Sequence, residues 1–238
     1  MRPTPTVVRG LGIAGASLAS GPTIVIDTFR AFTTAAILLD RGVGRLVLCD
    51  DVELARHIAR ELGAILIGED AGIRPAGFDY GNSPAEIEKA KGLRGEPVVL
   101  RSSAGTRTVL AAIKAGAEPV YASSLVVASA TVAACAGVES ITIISAGTHG
   151  VDPSEEDDVT GDLIVDLLQG VGDIEAAAAT IMRSVRARQL REAPWAGIGD
   201  VDLACDVDRI PFAMRAVHGV DGHVELTIHR PTTDRVPT

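Results

Sequence analysis

Aromatic side chains are scarce in this chain: Phe, Tyr and Trp together supply 3% of its 238 residues. So few rings exclude a stacking platform for single-stranded nucleic acid, which needs aromatic faces for successive bases. Basic charge is also in deficit. A formal charge of −9 at pH 7 leaves no general surface for a phosphate backbone. A small anion stays within reach, provided local arginines or a bound cation overcome the global field. Cysteine is sparse too: Cys49, Cys135 and Cys205 lie far apart in no metal-ligand spacing, which suits reduced thiols. No apolar run reaches the length of a membrane span, and MRPTPTVVRG lacks the apolar stretch of a signal peptide. The expectation is a soluble, cytoplasmic protein with no nucleic-acid or membrane partner. No pattern fixes the oligomeric state, and a homo-oligomer stays open.

Several catalytic signatures are missing as well. There is no G-x-x-x-x-G-K-[ST] phosphate loop and no G-x-S-x-G nucleophile elbow. Asp27-Thr28-Phe29 lacks the second Asp of a haloacid-dehalogenase phosphatase. What is abundant is aliphatic: hydrophobic residues make up 47% of the chain, enough for a large core of Val, Ile, Leu and Ala.

That material is laid out in alternation. Strand-like runs occur at Ile24–Ile26, Arg45–Cys49, Ala64–Gly68, Val98–Leu100, Val120–Ala122 and Ile141–Ile144. A helical pattern follows each, with helices expected at about 30–41, 51–62, 156–169 and 173–191. Alternation of this kind predicts an α/β fold with a mainly parallel sheet and helices on both faces. A terminal hairpin is expected from Arg215–His218 to His223–Ile228 around Val220-Asp221-Gly222, with a frayed tail from Arg230. No linker divides the chain, so a single domain over 1–238 is expected.

In a parallel sheet, chemistry gathers at the carboxyl ends of the strands. Asp27 ends the first firm strand, with Arg30, Thr33 and Thr34 following at the start of a helix. A carboxylate, a guanidinium and hydroxyls placed there suit an anion or a metal–anion pair. An N-cap aspartate with an arginine partner explains the stretch equally well. Glu69 opens a long Gly- and Pro-rich loop running to Pro84, of the kind that often carries function. The turn Ser102-Ser103-Ala104-Gly105-Thr106-Arg107 can cradle an oxyanion, although ordinary capping accounts for it as well. Ser123-Ser124 closes another strand, and His149 sits in a further loop. The run Glu155-Glu156-Asp157-Asp158 opens a helix, where its dipole favours carboxylates. Four adjacent carboxylates also repel one another, and a hard cation such as Mg²⁺ relieves that.

Taken together, VIDTFRAFTT (25–34), GEDAGIRPAGFDYGNSP (68–84), VVLRSSAGTRTVLAA (98–112), the Ser123-Ser124 turn and SAGTHG…EEDDVTGDLI (145–164) resemble the 2-phosphosulfolactate phosphatase family. DVDLACDVDRIPFAMRA (200–216) is similar to its C-terminal part. The resemblance implies a three-layer α/β/α domain that uses Mg²⁺ to remove phosphate from 2-phospho-3-sulfolactate, a step of coenzyme M synthesis in methanogens. By position it implies roles for Asp27, Arg30, Thr33 and Thr34, for Asn82 and Ser83, and for Gly105, Thr106 and Arg107. Glu156 and Asp157 fit a Glu-Asp pair, with the register inside 155–158 open by one.

The expected division has Asp27, Arg30 and Arg107 as catalytic groups. Thr33, Thr34, Asn82, Ser83, Ser103, Gly105, Thr106 and Ser123 bind a small phosphorylated, sulfonated substrate, and Asp27, Glu69, Glu156 and Asp157 supply metal ligands. Two positions depart from the family pattern: Asp70 stands where Arg is common, and Ala104 where Asn is usual. A non-catalytic binder of such a metabolite is the alternative on the same fold.

Overall fold

The computed structural model describes residues 4–230. Strands are β1 (Thr6–Leu11), β2 (Thr23–Ile26), β3 (Arg45–Cys49), β4 (Ile65–Gly68), β5 (Pro97–Arg101), β6 (Val120–Ser123), β7 (Ser140–Ser145), β8 (Ala213–His218) and β9 (Val224–His229). Helices up to β7 are α1 (Gly12–Ala16), α2 (Ala31–Asp40), α3 (Val52–Leu62), α4 (Pro84–Lys89), α5 (Gly105–Lys114) and α6 (Ala128–Ala134). Beyond β7 come α7 (Glu155–Gln169), α8 (Ile174–Arg183), α9 (Val185–Glu192) and α10 (Asp200–Ala204). The expected tail lies outside the described residues, apart from Arg230.

One nine-stranded sheet joins the strands in the order β1-β7-β2-β6-β8-β9-β3-β5-β4. Five of its eight pairings are parallel, as the β–α alternation predicts. The C-terminal hairpin forms where expected, but it sits in the middle of the sheet. β8 pairs antiparallel with β6, β9 with β8, and β9 meets β3 through the antiparallel pair Val47–Glu225. Three successive reversals make the two parallel halves run in opposite senses. In a flat sheet their carboxyl ends would lie at opposite edges. They meet instead, for the Gly105 N–H after β5 donates to Asp27 Oδ2 after β2 at 2.9 Å. The sheet is therefore curled between β2 and β5, in keeping with the twist that accumulates across adjacent strands.

Helix α2 contacts β3, β6 and β9, bridging both halves. All its residues except Asp40 are buried. A helix apolar on every side is a core helix, and AFTTAAILL has the composition for that place. The long helix expected over 173–191 is two helices. Ser184 leaves helical geometry and its side chain accepts from the Ala187 N–H, so α9 starts afresh on a new axis.

Candidate active site

The ends of β2, β4 and β5 and the helices after β7 enclose a cleft of about 140 Å³. Asp27, Glu69 and Glu156 line it with Arg30 and Arg186, and Trp195 and Leu190 add apolar surface. Asp27 is 5% exposed. Its Oδ1 accepts from the Ala31 N–H at 3.0 Å and its Oδ2 from Gly105, so two helix starts converge on one carboxylate. Asp27 accepts an N–H at the start of α2 and also lines the cleft, but the arginine expected to partner it pairs elsewhere. A side chain at Gly105 would meet Asp27, which is why the turn after β5 has glycine there.

Glu69 is fixed in the same manner. Its Oε1 accepts from the Ser103 N–H at 2.5 Å, and its Oε2 from the Gly72 N–H at 2.6 Å and the Ser103 hydroxyl at 3.0 Å. The acidic run resolves by helix phase. Glu156 and Asp157 turn inward and are 2% and 3% exposed. Glu155 faces solvent, while Asp158 accepts from the Ser145 hydroxyl at 2.7 Å. Asp157 lies just behind the cleft, accepting from the Thr28 N–H at 2.8 Å and the Gly147 N–H at 2.9 Å.

Burial drives three carboxyls up to about 7. Asp27 is raised further by the neighbouring Asp157 charge, and Asp157 by Glu156. Glu156 Oε2 is buried without a hydrogen-bond partner. Among the described residues, no three His, Cys, Asp or Glu side chains close around one point. The four acidic residues therefore do not preassemble a cage. As hard oxygen donors crowded in a buried site, with one oxygen unpartnered, they still fit a cation such as Mg²⁺, which takes one or two carboxylates and keeps several waters.

Arg30 is 5% exposed and pairs with Asp200 at 3.0 Å rather than with Asp27. Asp200 is a buried hub. Its Oδ1 also accepts from the Ser83 hydroxyl at 2.6 Å and the Ala85 N–H at 3.0 Å, and its Oδ2 from the Gly197 N–H at 2.9 Å. The Arg30 guanidinium lies 4.8 Å from the centroid of the Trp195 ring. The same ring packs against Gly72, whose added Cβ would stand 3.4 Å from it.

The expected residues thus divide. Asp27, Arg30, Glu69, Asn82, Ser103 and Glu156 line the cleft, with Asp157 beneath. Ser83 caps α4 and braces Asp200, and Gly105 supports Asp27 through its backbone. Thr33 donates to the Thr28 carbonyl, Thr106 exchanges hydrogen bonds with Ser102, and Ser123 pairs with Thr131, all buried away from the cleft. Thr34 is likewise buried and outside it. Arg107 is the main displacement. It lines a separate groove with Leu110, Ala111 and Lys114. That i, i+3, i+4, i+7 spacing is one face of α5, turned away from the cleft because Thr106 and Val109 occupy the inner face.

Arg186, Trp195 and Asp200 are the residues that sequence reasoning missed. Trp195, the single tryptophan, was the one available signal. The two departures fall into place as well. Asp70 pairs with Arg101 at 2.9 Å and does not line the cleft, whereas Ala104 does line it.

A family model described as 2-phosphosulpholactate phosphatase matches residues 14–196. The chain is similar to a Thermoplasma volcanium protein named probable 2-phosphosulfolactate phosphatase, with 36% identity over 148 residues, 62% of this chain and 68% of that one. A Thermoplasma acidophilum protein of the same name is 33% identical over 181 residues, covering 76% of this chain and 78% of the relative. One from Thermotoga petrophila is 32% identical over 163 residues, 68% and 70% of the two chains. The matched span contains Asp27, Arg30, Glu69, Ser103, Glu156, Arg186 and Trp195, and on that match the chain belongs to the 2-phosphosulpholactate phosphatase family, a group of phosphoric monoester hydrolases.

Proposed function

We propose that this chain hydrolyses 2-phospho-3-sulfolactate, or a closely similar small phospho-acid, to the free hydroxy acid and phosphate with the help of Mg²⁺. The observation that carries the proposal is the apposition, in one cleft of a chain from this family, of buried carboxylates and a buried arginine. Of Asp27, Glu69, Glu156 and Asp157, one or two would hold the cation directly, with water completing its shell. When bound, it would contribute positive charge against the phosphate and acidify water.

The protein's own part is positioning. Arg30, held by Asp200 and Trp195, presents guanidinium N–H groups to phosphate oxygens without having to be ordered on binding. Asp27 and Glu69, each clamped by backbone N–H groups, keep their orientation while charge redistributes in the substrate. Leu190, Phe29 and Trp195 exclude water from part of the cleft and strengthen those interactions.

The test is phosphate release from 2-phosphosulfolactate and a panel of phospho-acids, each with Mg²⁺ and with EDTA. Metal-dependent turnover that favours the sulfonated ester is expected. Turnover of a different phospho-acid would move the substrate while keeping the site. A folded chain that binds sulfolactate but releases no phosphate from any ester would be a binder, and the proposal would fall.

A further inference from the structure

We infer that Arg186, on α9, is the specificity residue that takes the sulfonate of the substrate. This rests on the substrate class proposed above and assigns a part of the cleft that the carboxylates and Arg30 leave unexplained. A 2-phospho-3-sulfolactate molecule carries anionic groups at each of its three carbons. Arg30 is committed beside Asp27, pinned by Asp200 and by the Trp195 ring. The second guanidinium expected from Arg107 is not in the cleft. Arg186 is.

Its surroundings differ from those of Arg30. The Arg186 Nε is buried and has no hydrogen-bond partner. The nearest carboxylate oxygen, Glu156 Oε1, stands 3.9 Å away, beyond hydrogen-bond reach. A buried donor left unpaired is costly, and an acceptor from a ligand would satisfy it. Arg186 and Leu190 are four residues apart on α9 and so share a face, with Trp195 completing an apolar sector. A sulfonate spreads a single charge over three oxygens and sheds water more readily than a phosphate dianion. A partly exposed guanidinium beside Leu190 and Trp195, held off from Glu156 at 3.9 Å, suits that group. The phosphate suits the acid-rich end, where a cation and Arg30 act together. Helix α9 starts afresh at Ser184, and its Arg186–Leu190 face lines the cleft.

The experiment compares 2-phosphosulfolactate with 2-phospholactate, which keeps the phosphate and carboxylate and lacks the sulfonate. In R186A the ratio of kcat/KM for the sulfonated over the plain ester should fall roughly 10- to 100-fold, mainly through KM. Arg186→Lys should recover part of the ratio, because it keeps the charge and loses the planar fork. Should the alanine variant fail to fold, Arg186→Gln replaces it.

A second assay needs no catalysis. Binding of 3-sulfolactate and of lactate is followed by calorimetry and by the emission of Trp195. The wild type should prefer sulfolactate, and R186A should lose that preference. If no ester is hydrolysed but the Arg186-dependent preference remains, the phosphatase reading fails and the sulfonate subsite stands. Equal losses on sulfonated and plain ligands, or a wild type without preference for sulfolactate, overturn the assignment.

Discussion

The two walls of the cleft are built by different means. On the sheet side, Asp27 and Glu69 each accept two backbone N–H groups, so the main chain itself dictates where their oxygens lie. On the helical side, Arg186 and Glu156 approach one another at 3.9 Å, and each retains a buried atom without a partner. One wall has its hydrogen bonds made within the protein; the other holds two buried polar atoms without a partner. The first kind of wall suits chemistry, which gains from groups that do not reorganise, and the second suits selection among ligands. Arg30 belongs to the first kind although its partner, Asp200, comes from the C-terminal part of the chain.

This contrast can be broken at several points. The largest effect is expected at Asp27. Asp27→Asn should lower kcat by roughly 10²- to 10⁴-fold, read by phosphate release on a variant whose circular dichroism is unchanged. A similar kcat with a raised KM would place Asp27 on the selecting wall instead. Next is Arg30→Ala, with a fall in kcat/KM of roughly 10²- to 10³-fold. The same change leaves Asp200 as a buried, unpaired carboxylate, so denaturant melts should also show a loss of about 3–5 kcal/mol. Activity lost without stability would mean that Asp200 is not buried as described.

The third effect is on stability against pH, in metal-free protein. Asp27, Glu156 and Asp157 ionise at about 7 in the folded chain. In the unfolded chain they ionise near the ordinary carboxylate values of about 4. The folded state therefore binds more protons between those limits, and stability present below pH 4 should be lost as pH rises through 7. Asp157→Asn should flatten that slope in melts from pH 4.5 to 8. A slope no flatter than that of the parent would remove Asp157 from the coupled cluster. A smaller effect is expected for Trp195→Leu, which removes a cation–π contact worth about 0.5–2 kcal/mol and should raise KM several-fold with kcat nearly kept. The smallest is Arg107→Ala: kcat/KM should stay within about twofold, since a surface change away from the site costs little. A large loss there would return Arg107 to the role its motif suggested.

What could be read from the sequence follows the same division. The strand–helix alternation, the carboxylate ending β2, Glu69 after β4 and the inward Glu156-Asp157 pair are local features: each depends on a strand end or a helix start within one short segment. The α2 core helix announces itself by composition. Arg107 was misplaced because a motif was weighed above helix phase, although the buried Thr106 and Val109 put residue 107 on the outer face. Arg186 and Asp200 carried no local mark. Their roles depend on how α9 packs against α8 and α10 against α4, which hydrophobic spacing does not encode. The same holds for the hairpin. Its strands and turn were legible, but not its insertion between two parallel halves.

That insertion has a bearing on the order in which the molecule can be made. Strands β1, β7, β2 and β6 form one group and β3, β5 and β4 another, and within the sheet β8 and β9 join them. The connecting strands leave a ribosome after all the others. Until they emerge, a nascent chain can assemble two partial sheets with open edges, which are exposed to wrong pairings while they wait. Asp27 follows β2 of the first group and Gly105 follows β5 of the second, so the carboxylate's cradle is shared between them, as is helix α2, which packs on both. The cradle around Asp27 therefore exists only where both groups have come together.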